Sequence, residues 1–565
     1  MPKIETTGRL FFSLLGKTLN DIELEAILPV AKAELDGHED DVLKIELNDT
    51  NRPDLWSAAG LARQLKSYEC EDILLYDFFS TAEETLDSEG RSLIIDASVK
   101  EVRPFSIGFA ARGHQVDEDD LEALIQSQEK LCSNFGRKRK TIAMGIYRSD
   151  LIKYPVHYRG VDPDKTSFVP LGLDRELTLR QICTEHPKGR EYGPIVSGHT
   201  LFPFLHDDNN DVLSFPPVIN SDRIGAVEVG DENLFLELSG MDLHDLLLAA
   251  SIMACDMSDM GFEILPVKVL LGEETEFGSE ITVPYYFQEP ISCSMARIHK
   301  TLGTKFSHEE VIKALKRMGI YAICDSNVIY ATVPEYRNDF LHPVDLIEDV
   351  MIGYGLNNFE PEMPQDFTVG RLSPAEEMGR KVKDLMVGLG FQEMMYNYLG
   401  SKREYVDNMC YPQGKCIFIS NPMSENYEVV RPSIIPSMLE SESVSAHAPF
   451  PHKIFEVGKV AFRDERDNSG TTTRNCLGFL ASDSVMGYND VSSLVNTLCY
   501  FLGKEFTLAA LDGDLRFIEG RAARLMIGQA EVGVFGEIHP QVLENWGSTM
   551  PTIAGEIDLD LVMAN

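Results

Sequence analysis

Apolar and polar residues alternate over Val42–Leu47 (VLKIEL), the period of a half-buried strand. A loop segment, Asn48–Asp54, follows. Leu55, Ala58, Ala59, Ala62 and Leu65 then share one helical face, predicting a helix over Leu55–Leu65. Further along, Leu93–Ile95, Thr141–Ile146 and Leu234–Leu238 read as strands, and Leu121–Leu131 and Asp242–Met253 as helices. Ser307-His308-Glu309-Glu310 has the form of a capping box. Val311, Leu315 and Met318 continue it at i, i+4 and i+7, and Gly319 is placed to stop the helix before a strand at Val328–Val333. The most apolar run, Leu246–Ala254, is flanked by His244, Asp245 and Asp256 and falls short of the ~18 residues of a membrane helix. It predicts a buried helix, and no membrane partner is expected.

These elements group into four blocks of a multidomain α+β chain. They are an N-terminal α+β module (1–85), a mixed α/β block (92–265), a small helix and β-ribbon module (285–361) and a C-terminal block (362–565). The acidic, polar Thr81–Arg91 reads as a linker, and Phe359–Gln365, rich in Pro and Glu, separates the last two blocks. The length of 565 residues agrees with four blocks at roughly 150 residues per domain. An apolar fraction of 44% supplies several cores and argues against disorder.

Charge narrows the partners. With 90 acidic and 51 basic residues the formal net charge is −39. Nucleic-acid affinity rides on Lys and Arg neutralising phosphates, so the whole chain is not a phosphate-coating protein. A local basic patch, Arg137-Lys138-Arg139-Lys140, stays available. The ten cysteines form no CxxC pair, which argues against structural zinc and for reduced thiols in a cytoplasmic protein. The N-terminus lacks a basic region followed by an apolar core, so no signal peptide is expected.

Asp345, Glu348 and Asp349 stand at i, i+3 and i+4 and would share one helical face, with Asp339 in the approach to that helix. Carboxylates so gathered repel unless a cation sits among them, and hard oxygen donors suit magnesium or calcium. Acids in a first helical turn are also favourable through the helix dipole alone.

The surrounding residues, RNDFLHPVDLIEDVMIGYGLNNF (Arg337–Phe359), resemble a signature of the phenylalanyl-tRNA synthetase β-subunit family. LNDTNRPDLWSAAGLARQL (Leu47–Leu65) is similar to that family's N-terminal motif. FVPLG (Phe168–Gly172), HPKGREY (His186–Tyr192) and VLSFPPVINSD (Val212–Asp222) look like its editing module. ISNPMSENYEVVRPSIIPSMLES (Ile419–Ser441) and KIFEVGKVAF (Lys453–Phe462) look like its C-terminal block. The motifs follow the family's order, and the length resembles the shorter archaeal and eukaryotic form. The resemblance implies a tRNA-editing domain at 92–265 and a winged-helix-like module at 285–361. It also implies a class II synthetase-like antiparallel sheet with helices, catalytically inactive, at 362–565. It assigns Asp339, Asp345, Glu348 and Asp349 to magnesium, and Leu205, Ser214, Asn220 and Glu237 to the editing pocket. Aminoacylation, with ATP and phenylalanine, would lie on an α subunit in a heterotetramer of two α and two β chains acting on tRNA(Phe).

An apolar pocket for phenylalanine cannot strongly reject an analogue that adds a hydroxyl, so tyrosine must be removed at a second site. No Ser-His-Asp or Cys-His set is visible, which points to an oriented water attacking the tyrosyl ester. One departure stands out: the family often carries a basic residue six positions after the Asn, where this chain has Ala226, with Arg223 three residues earlier. Arg431, Arg521 and Arg524 read as exposed or interface charges. Two alternatives stay open. One is a nucleic-acid-binding regulatory protein using the helix–ribbon module through Lys313, Lys316 and Arg317. The other is a free-standing tRNA-editing hydrolase.

Overall fold

The computed structural model describes residues 2–48, 51–445 and 447–565, so Asp49 and Thr50 of the expected loop lie outside the described residues. The chain divides into two compact units, Met1–Glu362 and Met363–Asn565. The division falls between residues 362 and 363, and the first three expected blocks lie in one unit.

In the first unit, Lys3–Thr7, Val42–Leu47 and Ala33–Glu39 form a three-stranded antiparallel sheet with Val42–Leu47 at its centre. Leu43, Ile45 and Leu47 point into the core, as the alternation requires. The helix begins later than expected. Pro53–Leu55 is a single 3-10 turn, and Ser57 caps Ala58–Cys70 by accepting from the Gly60 N–H. Serine is a strong N-cap, so the boundary falls there and not at Leu55.

Two sheets form the middle of this unit. A seven-stranded mixed sheet runs in the order Ile219–Asn220, Val212–Phe215, Phe202–His206, Val156–Val161, Ser92–Ile95, Val267–Thr275 and Gly278–Val283. A four-stranded antiparallel sheet runs Glu263–Leu265, Phe105–Arg112, Asn233–Gly240 and Ile142–Arg148. The expected end at 265 is too early. Val267–Thr275 pairs in parallel with Ser92–Ile95, so the larger sheet closes only at Val283. The apolar run 246–254 lies in the buried helix Leu243–Asp259, and no helix of the described residues is long and apolar enough to cross a membrane.

The helix–ribbon module comprises a three-stranded sheet, Ile291–Ser294, Val328–Thr332 and Tyr321–Asp325, with helices Met295–Leu302, His308–Arg317 and Pro343–Tyr354. Its capping box is complete: Ser307 Oγ accepts from the Glu310 N–H, and Glu310 accepts from the Ser307 N–H. Gly319 follows the helix at φ +75°, a conformation that L side chains rarely adopt.

The second unit holds a seven-stranded sheet. Gln392–Glu393 pairs in parallel with His452–Arg463. Thr471–Ser482, Thr552–Asp558, Ala530–Ile538, Phe517–Ile527 and Thr507–Ala510 continue it in antiparallel order. Helices Pro374–Gly388, Ile435–Val444 and Tyr488–Leu502 accompany it.

Candidate functional site

Three of the expected pocket residues stand in one row across the larger sheet of the first unit. Leu205 opposes Ser214, and Ser214 opposes Asn220. Directly opposed residues share a face. Glu237 arrives from the smaller sheet, in Asn233–Gly240, where its neighbours on both flanking strands are glycines, Gly108 and Gly145. Those missing side chains leave room beside the carboxylate: a Cβ at position 145 would lie 2.1 Å from the Tyr147 hydroxyl.

Tyr147, which the sequence motifs do not single out, joins the two sheets. Its hydroxyl donates to Ser214 Oγ at 2.8 Å and lies 3.5 Å from Glu237 Oε2. Ser106 Oγ donates to the other carboxylate oxygen at 2.7 Å. Ser214, Asn220 and Glu237 line a narrow slot with Tyr147, Arg139 and Gly145. A wider, open cleft of about 1300 Å³ shares Arg139, Met144, Ile219 and Asn220 with the slot, and Leu124, Ile146 and Val218 supply its apolar wall. Leu205 lines neither. It is fully buried in the core at one end of the row, a correction to its expected place on the pocket wall.

Glu237 has no guanidinium or ammonium hydrogen-bonded to it among the described residues. Burial pushes its pKa up to about 7, with the Ser106 hydroxyl, Arg103 and Tyr147 opposing the rise. Arg103 acts on it without a hydrogen bond. Its own donors go to the carbonyls of Arg139, Lys140 and Ser239 and to Ser239 Oγ, and burial lowers its pKa. Two of the carbonyls it holds, those of Arg139 and Lys140, belong to a basic turn in which Arg137, Lys138 and Arg139 are all left-handed, at φ 50°, 56° and 64°. Only Arg137, Lys138 and Lys140 of this turn face solvent. The Arg139 guanidinium donates to the carbonyls of Pro217 and Val218 and lies over the Tyr192 ring, so it is wall and not free charge. Arg223 pairs with Asp211 at 2.6 Å and lines neither cavity, whereas Ala226 lines the cleft.

The acidic helix is arranged differently from its expectation. Arg337, fully buried, donates to both oxygens of Asp339 at 2.9 and 2.6 Å and to Asp349 at 2.7 Å. Asp345 accepts the backbone N–H groups of Leu341 and His342, capping its own helix. Glu348 pairs with Lys32 at 2.9 Å. Among the described residues no group of three or more His, Cys, Asp or Glu is placed to hold a metal ion. The four carboxylates therefore do not fit the expected magnesium site as folded, because an internal guanidinium stands between two of them. Arg52, from the N-terminal motif, pairs with Asp54 at 2.7 Å and approaches Asp339 to 3.9 Å. Burial raises the pKa of Asp349. At Asp339 burial acts in the same sense, but the Arg337 guanidinium overrides it and holds the carboxyl at about 2.

The helix–ribbon cations are paired within the chain. Lys313 and Lys316 pair with Glu71 and Asp72, and Arg317 stacks 3.7 Å from the Tyr68 ring while donating to the Tyr68 and Gly353 carbonyls. Acidic partners on both lysines offset the basic face a nucleic-acid reader would need there. In the second unit Arg431 is likewise not the exposed or interface charge expected. It is fully buried in a bidentate pair with Glu456 at 2.8 and 2.9 Å. Arg521, which pairs with Glu537, and Arg524 stay at the surface.

Two family models match the chain: the tRNA synthetase B5 domain over residues 291–356 and the phenylalanyl tRNA synthetase beta chain CLM domain over residues 360–559. Both are parts of aminoacyl-tRNA synthetases, which sets the class. The chain is 47% identical over 567 residues to the phenylalanine–tRNA ligase beta subunit of Borreliella burgdorferi (strain ZS7), with 100% of both chains covered. It is 46% identical over 566 residues to that of Borrelia turicatae (strain 91E135), at the same coverage. A crystal structure of an N-terminal fragment of the Pyrococcus horikoshii phenylalanyl-tRNA synthetase beta subunit superimposes with a TM-score of 0.58 at 31% identity. It covers 63% of this chain and 100% of that one. The chain belongs to the phenylalanine–tRNA ligase β-subunit family.

Proposed function

We propose that this β subunit joins an α subunit, as two α and two β chains, to attach phenylalanine to tRNA(Phe) at the expense of ATP, and that its slot between the two sheets hydrolyses Tyr-tRNA(Phe). The observation that carries the editing role is the convergence of Ser214, Asn220 and Glu237, from two different sheets, on one polar slot beside an apolar cleft. A tyrosyl ring and a terminal adenosine present this mixture of apolar faces and hydrogen-bonding edges.

Ser214 is hydrogen-bonded to a tyrosine and not to a histidine, so it lacks a base to make it a nucleophile. An oriented water is the attacking group. Its oxygen bonds to the ester carbonyl carbon, the bond to the ribose oxygen breaks, and the released ribose oxygen takes a proton from that water. The exposed Arg137, Lys138 and Lys140 provide local phosphate contact on an otherwise acidic chain. Residues 92–283 form the editing domain, 285–361 the winged-helix-like module and 362–565 a class II-like scaffold whose Arg431 is neutralised by Glu456. Aminoacylation lies on the α subunit, in the cytoplasm. No step of this reading runs through magnesium, since Asp339, Asp345, Glu348 and Asp349 are engaged within the chain.

The test is Tyr-tRNA(Phe) deacylation by the complex reconstituted with its α partner. Ser214→Ala with Asn220→Ala is expected to slow clearance about 100-fold or more, as loss of two transition-state contacts does, while phenylalanine charging is retained. Parental clearance by this variant overturns the pocket assignment.

A further inference from the structure

We infer that Tyr147 is a positioning residue of the editing reaction: its hydroxyl fixes Ser214 as a hydrogen-bond donor aimed into the slot. The inference rests on the editing role proposed for this slot. It begins with hydrogen-bond counting. A serine hydroxyl carries one proton and two acceptor lone pairs, and a phenol carries one proton. The Tyr147 proton has two candidate acceptors, Ser214 Oγ at 2.8 Å and Glu237 Oε2 at 3.5 Å. The first is an ideal O–H···O distance and the second is at the limit of a bond. Glu237 is already served on its other oxygen by Ser106 at 2.7 Å. The Tyr147 proton therefore goes to Ser214.

That assignment decides what Ser214 can do. One lone pair of Ser214 Oγ is taken by Tyr147, and among the described residues no protein acceptor is hydrogen-bonded to its own proton. With that lone pair filled and no protein acceptor at hand, the proton is left for the slot that Ser214 lines. A serine so held reads an acceptor on the ligand, either the ester carbonyl oxygen or the phenolic oxygen of a tyrosyl group, and an undirected serine would read either polarity.

The framework holds Tyr147 in this role. Its ring is 1% exposed, packs 6.1 Å from that of Phe235, and lies back along its own strand over Gly145, where a Cβ would be 2.1 Å from the hydroxyl and 2.4 Å from the ring carbon bearing it. Gly145 opposes Glu237 in the strand pairing. Glycine at 145 and tyrosine at 147 thus work as one device, the first vacating the space that the second's hydroxyl fills.

Tyr147→Phe keeps the ring and deletes only the proton donor. In the reconstituted complex with Tyr-tRNA(Phe) as substrate, this variant is expected to lower the kcat of deacylation roughly 10- to 100-fold with KM nearly unchanged, at a parental unfolding midpoint. Because Tyr147 acts through Ser214, the double variant with Ser214→Ala is expected to be no slower than Ser214→Ala alone. Additive losses, or a Tyr147→Phe protein that clears at the parental rate while Ser214→Ala does not, would overturn the inference and leave the editing role standing. If Ser214→Ala also clears normally, the editing assignment itself fails. Should Tyr147→Phe lower the midpoint, 3-fluorotyrosine at 147 keeps shape and hydroxyl with a more acidic proton. A changed kcat then supports the relay, and an unchanged one overturns it.

Discussion

Two regions of the first unit bury carboxylates, and they do so in opposite ways. Between the sheets, Glu237 has two hydroxyls for company and a nearby arginine whose donors are directed to carbonyls, so burial wins and its pKa rises to about 7. In the helix–ribbon module, Arg337 grips Asp339 and Asp349, and at Asp339 the guanidinium wins against burial, holding the pKa at about 2. Exposure does not distinguish Glu237 from Asp349, which are 2% and 3% exposed. The difference between Glu237 and Asp339 is that a guanidinium clamps both oxygens of Asp339, whereas Asp349, which takes a single Arg337 donor, is still raised by burial. Glu237 is poised between charge states near neutrality, as a site group often is. The Arg337 network is locked in one state and acts as a rivet, with Arg52 bringing in the N-terminal module.

The largest effect should come from pulling the rivet. Arg337→Met leaves Asp349 buried without its partner and Asp339 without its clamp. Removing one member of a buried pair typically costs about 3–5 kcal/mol, because the remaining charge is uncompensated. Denaturant unfolding, with hydrogen exchange followed in the helix Pro343–Tyr354, is the measurement. A cost below about 1 kcal/mol would mean that the network is not what couples these modules.

Next in size is the pH response of the slot. Glu237 has a folded pKa of about 7 against an ordinary 4.5, so between these values the native state holds a proton that the unfolded chain has released. Stability from this group is full below pH 4.5 and is lost as pH rises to about 7, by roughly 3 kcal/mol. Arg103, Tyr147, Tyr158 and Cys132 are the titratable groups around it, and none of these is shifted to titrate inside that window. Glu237→Gln is expected to flatten this slope in pH-dependent unfolding. Asp339 has the opposite sign: its contribution is present above its ordinary 3.8 and is lost as pH falls through about 2. A variant that keeps the parental slope between pH 4.5 and 7 would assign it elsewhere.

Much of this contrast was out of reach of sequence reading, for a definite reason. Local grammar is readable where neighbours in sequence are neighbours in space. The Ser307–Glu310 capping box, the VLKIEL strand and the break near residue 362 are of that kind. The meeting of Ser214, Asn220 and Glu237 came from resemblance, and the pairing of strands explains it. Tyr147 escaped because its partners, Ser214 and Glu237, are 67 and 90 residues away. The only trace in sequence is a glycine two positions before it, meaningful once Gly145 is known to oppose Glu237. Arg337 stood inside the quoted motif, two residues from Asp339. Spacing alone could not say whether its guanidinium turned toward the acids or away. The inward turn of Arg337 is the tertiary fact that separates an ion pair from a magnesium site.

The smallest expected effect tests that separation most directly. Glu348 is about half exposed and pairs with Lys32 at 2.9 Å. Exposed pairs are worth about 0–1 kcal/mol, so Glu348→Gln is expected to change stability by less than about 0.5 kcal/mol. Its value lies in the comparison with and without magnesium. If the cation of this region is Arg337, the variant and its parent respond equally to millimolar magnesium or to a chelator, because no ligand of an ion has been removed. If the assembled enzyme instead gathers the four carboxylates around a divalent ion, magnesium stabilises the parent more than Glu348→Gln. In that case Arg337 must release Asp339 and Asp349. Measured on the reconstituted complex, an equal response keeps the rivet as the description of this region, and an unequal one replaces it with a metal centre.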